Sequence, residues 1–384
     1  MSFKELLSNG AIRSILLTQM LTAVGFGIIL PIVPFYSQAF GATPFDIGLL
    51  TAIFAFISLV LAPVIGKVAD KVGRKKVLLA GTIGFAVSYL LFSISTSLEM
   101  LFFARAIEAV SAAGIFPAAA SLISDLTSEQ QRGKAMALVG MTFSMGFILG
   151  PAIGGLAASV SIPFAFLLAA TFSGLNFLSV FFQIKEPKEK TESKDIVEKE
   201  ISILQHIKSP LLLIFGAGMI ISFIIGGLQA VLALYTQEKL KFGEAEIGLV
   251  FTYIGALIMV FQFVSGSLVG RFGEIKMIKA GLFLSALGFM LLIFFDSWLT
   301  LMLPLSVMVM GNAFVFPSVG SLVSKRAQGK RGAVMGLVAS FQSFGQFLGP
   351  LLAGFLYGIN HQYAFLGLGA TGIVYFIVFA IVEK

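Results

Sequence analysis

The sequence predicts an all-α polytopic membrane protein: twelve transmembrane helices in two pseudo-symmetric six-helix bundles. Three observations carry this. Of 384 residues, 58% are hydrophobic and only 12% charged, against about 25% charged in a soluble domain. The apolar runs are about 20 residues long, the length of a spanning helix rather than the ~10 of a barrel strand. The second half of the chain also repeats the first.

The spans run in order as Ile15–Tyr36, Ile47–Ile65, Val77–Ile94, Leu98–Ile123, Ala135–Ala158 and Ile162–Phe182. After a charged segment come Leu211–Tyr235, Ile247–Val269, Met277–Phe295, Leu299–Val323, Ala333–Tyr357 and Ala364–Val382. This divides the chain into an N-terminal bundle (1–184), a linker (185–208) and a C-terminal bundle (209–384). The first span has no small-residue cleavage site before it and reads as a retained helix, not a signal peptide. The linker is mixed in charge, with Glu186 to Lys190 and Glu198 to Glu200, and has room for an amphipathic helix near Ile196–Ile207. Short loops elsewhere make neighbouring helices antiparallel.

Orientation follows from the basic residues. Of 26 Lys and Arg, only Lys239 and Lys241 fall on the odd-numbered loops, and Arg105 falls within a span. The rest collect on the opposite side, with both termini, which places the termini in the cytoplasm of a cell-membrane protein. The net charge of +7 is thus a topology signal and not a nucleic-acid surface. There is no Cys and there are two His, which leaves no thiolate chemistry and no His-based metal centre.

The repeat is in register. Asp46-Ile47-Gly48-Leu49 recurs as Glu246-Ile247-Gly248-Leu249, and Gly66, Gly73 and Gly81 as Gly266, Gly273 and Gly281. Phe116-Pro117 and Ser121-Leu122 recur as Phe316-Pro317 and Ser321-Leu322, all 200 residues apart. Arg132-Gly133 and Gly150-Pro151 recur at a spacing of 199 as Arg331-Gly332 and Gly349-Pro350. Such repeats mark transporters, whose halves rock about a midplane site.

The stretch Leu98 to Asp125, which contains the fourth span, carries Arg105 and Glu108. A charge at bilayer depth costs at least ~2.5–3.5 kcal/mol, so it commonly faces a protein-lined site with a function. Three residues apart, the two share a helix face. Two readings stand: a proton-coupling acid with a modulating cation, or a permanent pair that fixes helix packing.

The stretch Gly66-Lys67-Val68-Ala69-Asp70-Lys71-Val72-Gly73-Arg74-Lys75-Lys76, placed in the loop after the second span, resembles the loop signature of the major facilitator superfamily. Gly146-Phe147-Ile148-Leu149-Gly150-Pro151-Ala152-Ile153-Gly154-Gly155 resembles the antiporter motif of its twelve-helix drug:proton antiporter branch. Gly25-Phe26-Gly27, Pro31-Ile32-Val33-Pro34 and Arg105 fit the first- and fourth-helix patterns of that branch. The resemblance covers the whole chain. It implies that Asp70 acts at a gate near Ala333, with Arg74 and Arg132 in the same charge network. The chain departs from the pattern at Glu108 and Ala109, where Gln and Gly are usual, and in lacking an acid in the first helix. The second copy of the loop motif has Gly270 and Glu274 where the first has Asp70 and Arg74, and reads as degenerate.

These features imply proton-coupled export of lipophilic or cationic small molecules by alternating access. A cavity rich in Phe (40 in the chain) and Met suits varied ligands. Asn176, Gln229, Tyr253, Asn312, Gln342 and Gln346 are candidates to line it, although residues of this kind more often serve as interhelical hydrogen bonds. The alternatives are transport of one metabolite and, more remotely, a non-transporting sensor or scaffold. No nucleophile–base pair, metal cluster or nucleotide loop points to an enzyme. The expected energy source is the proton gradient without a cofactor. The expected partners are substrate, protons and lipid, with the monomer sufficient.

Overall fold

In the computed structural model, the structure describes residues 8–184, 211–326 and 331–383, apart from the side chains of 129–130 and 331–333. The 185–208 linker and its amphipathic segment lie outside the described residues. Within them are twelve α-helices: α1 Gly10–Gln38, α2 Pro44–Val72, α3 Arg74–Ser93, α4 Leu98–Leu126, α5 Glu129–Ala158, α6 Ile162–Gln183, α7 Leu211–Leu240, α8 Glu244–Phe272, α9 Glu274–Leu291, α10 Trp298–Arg326, α11 Arg331–Ile359 and α12 His361–Val382. Eleven are long and apolar enough to cross a membrane. The exception is α11, in which Gln342, Gln346 and a run of glycines dilute the apolar residues.

Polar side chains open the helices by accepting from orphan backbone donors. Asn9 accepts from Ala11 N at 3.0 Å, Ser161 from Phe164 N at 3.2 Å, and Asn360 from Gln362 N at 2.9 Å. At α5, Gln131 reaches back to Ser128 N at 3.2 Å, one arm of a capping box.

The turn after α2 corrects the sequence reading. Residues 66–72 are helical, so Gly66 and Asp70 belong to the last turns of α2, and the break is the single residue Gly73 at φ 105°. Its repeat partner Gly273 does the same between α8 and α9 at φ 82°. Both positions need the conformation that glycine tolerates and other residues resist, as does Gly41 at φ 79° between α1 and α2.

The most extensive helix contacts are α1 with α5 and α7 with α11, followed by α9 with α10 and α3 with α4. The same pairs therefore recur 200 residues on. Contacts divide the chain into two units. The first takes in α1, α2 from Phe56, α3 to α6, and Phe242–Gly255 at the start of α8. The second takes in Thr43–Ala55 at the start of α2, α7, the remainder of α8, and α9 to α12.

One outlier of the charge pattern has a local explanation. Lys239 donates to Ile293 O at 2.7 Å, near the end of the short 3-10 turn after α9. Its ammonium stands over the Tyr235 and Phe295 rings at 5.3 and 5.0 Å.

Candidate functional site

Small residues hold α3 tightly along α4. A Cβ on Gly81 would meet Ser111 O and Ile115, and one on Gly84 would meet the Ser111 side chain. Ser88 Oγ donates to Ala104 O at 2.8 Å. This antiparallel register sets the middle of α3 against Arg105 and Glu108 on α4.

Arg105 Nη1 donates to Glu108 Oε2 at 2.7 Å, with Arg105 4% exposed and Glu108 0%. Phe26 of α1 lies 5.9 Å from the guanidinium carbon. The second carboxylate oxygen, Oε1, has no hydrogen-bond partner. A buried ion pair recovers its desolvation cost only with good geometry and satisfied lone pairs, and here one oxygen is left over. In the second half, the corresponding positions are Leu305 and Met308, both buried. The charge is therefore peculiar to one copy of the repeat, and a helix at this place packs without it.

Beside the pair runs a series of half-buried rings that composition alone did not single out. Phe26 is 6.4 Å from Phe147, Phe147 is 6.4 Å from Phe143, and Phe143 meets Phe116 edge-on at 5.7 Å. Met141 and Met145 are exposed on the same helix as Phe143 and Phe147. The series forms an adaptable apolar surface that ends at Arg105.

The motif around Asp70 converges on the C-terminal end of α4. Arg74 pairs with Asp125 through Nη1 and donates to Ser121 O at 3.1 Å. Its Nη2 lies 3.5 Å from Asp70. Arg132 donates to Ser124 O at 3.2 Å. Two guanidinium groups thus sit at the C-terminal end of α4 and complement its dipole, and Arg132 satisfies one of its terminal carbonyls, Ser124 O. The side chain of Ala333 lies outside the described residues. In the second half, Glu274 accepts from Ser321 Oγ at 2.7 Å and pairs with Lys325. The second copy of the motif is thus not degenerate at this position, as its residue types suggested. It keeps the ion pair and the serine with the charges exchanged.

Three glycines of α5, Gly146, Gly150 and Gly154, face α1. A Cβ at Gly150 would lie 2.6 Å from Val24 O and 2.8 Å from Gly27 Cα, and one at Gly154 would lie 2.8 Å from Ile28 Cα. Gly146 abuts Met20 and Ala23, while Gly155 abuts Gly248. Pro151 packs on Gly27 within an unbroken α5. The stretch is therefore a close backbone-to-backbone seam.

The midspan polar candidates are mostly engaged between helices. Gln346 donates to Gln229 at 3.0 Å. Ser285 donates to Asn312 at 2.7 Å. Asn176 reaches Thr22 Oγ1 at 3.4 Å and Thr18 O at 3.5 Å, leaving its own oxygen without a partner. Gln342 packs against Gly218, and Tyr253 is half-buried on α8. The described hydrogen bonds join only Gln229 and Gln346 of the six.

The sequence model of the Major Facilitator Superfamily matches residues 15–245 and again 214–384. The chain is 30% identical over 362 residues to the quinolone resistance protein NorA of Staphylococcus aureus, covering 91% of this chain and 92% of that protein. It is 30% identical over 356 residues to multidrug resistance protein 1 of Bacillus subtilis, covering 92% and 91%. Among solved structures, the nucleoside transporter NupG aligns with a TM-score of 0.81 at 16% identity, over 97% of this chain and 99% of that one. The human organic anion transporter MFSD10 aligns at 0.70 and 23% identity, over 96% and 99%. The chain belongs to the Major Facilitator Superfamily, in its drug-efflux branch, and is a membrane transporter rather than an enzyme.

Proposed function

We propose that this transporter exports lipophilic and cationic compounds in exchange for protons, by alternating access between the 1–184 and 209–384 bundles. It works in the cell membrane with both termini in the cytoplasm, as a monomer, and needs no cofactor beyond the gradient. The observation that carries this reading is the sealed Arg105–Glu108 pair with one carboxylate oxygen unused.

With Glu108 ionised, the pair is neutral overall. A proton arriving at Glu108 cancels the carboxylate charge and removes the ion pair that offsets the burial of Arg105, which is unfavourable. Protonation therefore favours an arrangement in which Arg105 reaches water or another acceptor. A cationic substrate competes with that proton for the same carboxylate. The Phe26, Phe147, Phe143 and Phe116 series supplies a surface for its apolar part. Asp70, Arg74 and Arg132 act at the gate, where they fix the end of α4. The α5 seam restrains α1 beside the pair.

Likeness to a quinolone resistance protein and a multidrug resistance protein makes fluoroquinolones and cationic dyes the first compounds to try. The test is efflux of a fluorescent cationic dye from energised cells expressing the full chain. Efflux that stops when a protonophore collapses the gradient is the expected result. Efflux unaffected by the protonophore contradicts proton coupling. Absence of any dye or quinolone efflux contradicts the drug reading and favours a single metabolite.

A further inference from the structure

A second buried polar atom without a partner lies on α3, the helix packed along α4. Tyr89 of α3 is 1% exposed, and its hydroxyl makes no hydrogen bond. The Ser88–Ala104 hydrogen bond sets this part of α3 next to Arg105. From α1, two consecutive residues close the same spot: Gly25 abuts the Tyr89 ring and hydroxyl, and Phe26 lies against Arg105. A Cβ at Gly25 would stand 3.0 Å from the Tyr89 oxygen, so a larger residue would displace it. The charged groups that act on this hydroxyl are Glu108 and Arg105.

An unsatisfied buried hydroxyl is costly, and a Phe would fill the same space without that cost. The repeat makes the comparison: the corresponding residue of the second half is Phe289, fully buried, beside Leu305 and Met308. Where the acid is absent, so is the hydroxyl.

We propose that Tyr89 is a positioning donor for Glu108: its hydroxyl, unbonded while Arg105 holds the carboxylate, moves onto Oε1 when that pair opens, and so sets the pH at which Glu108 exchanges its proton. The inference rests on Glu108 being the coupling acid. The proton itself passes between Glu108 and water, and Tyr89 keeps its own. Other ionisable groups on the packed helices stand away from this level. On α1 they are Arg13 and Tyr36, near its two ends. On α2 they are Asp46, Lys67, Asp70 and Lys71, on α3 Arg74, Lys75 and Lys76, and on α5 Arg132 and Lys134, again near helix ends.

The experiment measures substrate-driven proton movement against pH in proteoliposomes containing the full chain, for wild type, Tyr89→Phe, Glu108→Gln and the double variant. Removing a donor to a charged group moves the midpoint of the wild-type profile upward by about one pH unit in Tyr89→Phe. Glu108→Gln abolishes the titration, and the double variant matches it. A Tyr89→Phe midpoint that is unchanged or lower, with the titration lost in Glu108→Gln, overturns the Tyr89 assignment alone. A titration that survives Glu108→Gln overturns the coupling role of Glu108 and this inference with it. The infrared band of the protonated carboxyl, identified by its loss in Glu108→Gln, gives a readout independent of transport. Its appearance with falling pH shifts upward by the same amount in Tyr89→Phe, and a tyrosine that merely fills space leaves it in place.

Discussion

Glu274 is paired with Lys325 at the positions where, 200 residues earlier, the chain carries Arg74 and Asp125. Each pair ties the first turn of a helix after a positive-φ glycine to the last turns of its neighbour. Each keeps a serine of that neighbour in the network, Ser121 through its carbonyl and Ser321 through its hydroxyl. The geometry needs opposite charges at the two places and does not fix which helix carries which.

A charge exchange tests this. Glu274→Arg places two cations together and is expected to lower the melting temperature of the purified protein by a few degrees, on the order of 1 kcal/mol because Lys325 is largely exposed. Adding Lys325→Asp restores an ion pair of the Arg74–Asp125 kind and should recover most of the loss. A double variant no better than the single would show that the pair contributes nothing through charge.

The α1–α5 seam separates two glycines on one helix. Gly150 faces the α1 backbone, while a Cβ at Gly140 meets nothing within 4 Å. Gly150→Ala should destabilise by about 1–3 kcal/mol through overpacking. Gly140→Ala should be neutral or stabilise by up to about 1 kcal/mol through helix propensity. Thermal melts of both variants in detergent check this, and equal effects would contradict the packing account.

At the end of α12, Arg326 meets Glu383 fork to fork, at 2.7 and 3.0 Å. The guanidinium beside it holds the Glu383 carboxyl below its usual range. A carboxyl lowered by folding stabilises the protein above its unfolded value, about 4.3, and loses that contribution as pH falls through the lower folded value. The melting-temperature gap between wild type and Glu383→Gln should therefore be fully present at neutral pH and close below about pH 4. With Arg326 about one-third exposed (34%), the gap should correspond to ~1 kcal/mol or less. A gap independent of pH would mean that Gln disturbs packing instead.

The helices were legible in the sequence because a bilayer demands long apolar runs, and the repeat because its glycines and prolines stayed in register. The glycine seam of α5 could likewise be read as close packing. The turn after α2 could not be placed, since a glycine does not disclose its φ: Gly66 is helical and Gly73 is not. The exchanged pair at Glu274 was missed because a motif compares residue types one position at a time, while the partner lies about fifty residues away. Tyr89 was missed for a related reason. A tyrosine in an apolar span resembles core, and only the register of α3 on α4 brings it to Glu108. The glutamines reveal their bond, Gln346 to Gln229, only once α7 and α11 are side by side.

The most direct test of the central claim is gradient-driven dye efflux in Glu108→Gln, with dye binding to the purified variant measured in parallel. The substitution keeps the shape of the side chain and removes its proton exchange. Loss of gradient-driven efflux with dye binding retained is the predicted result. Efflux at the wild-type rate, still sensitive to a protonophore, would contradict it and leave Arg105 and Glu108 as a packing pair.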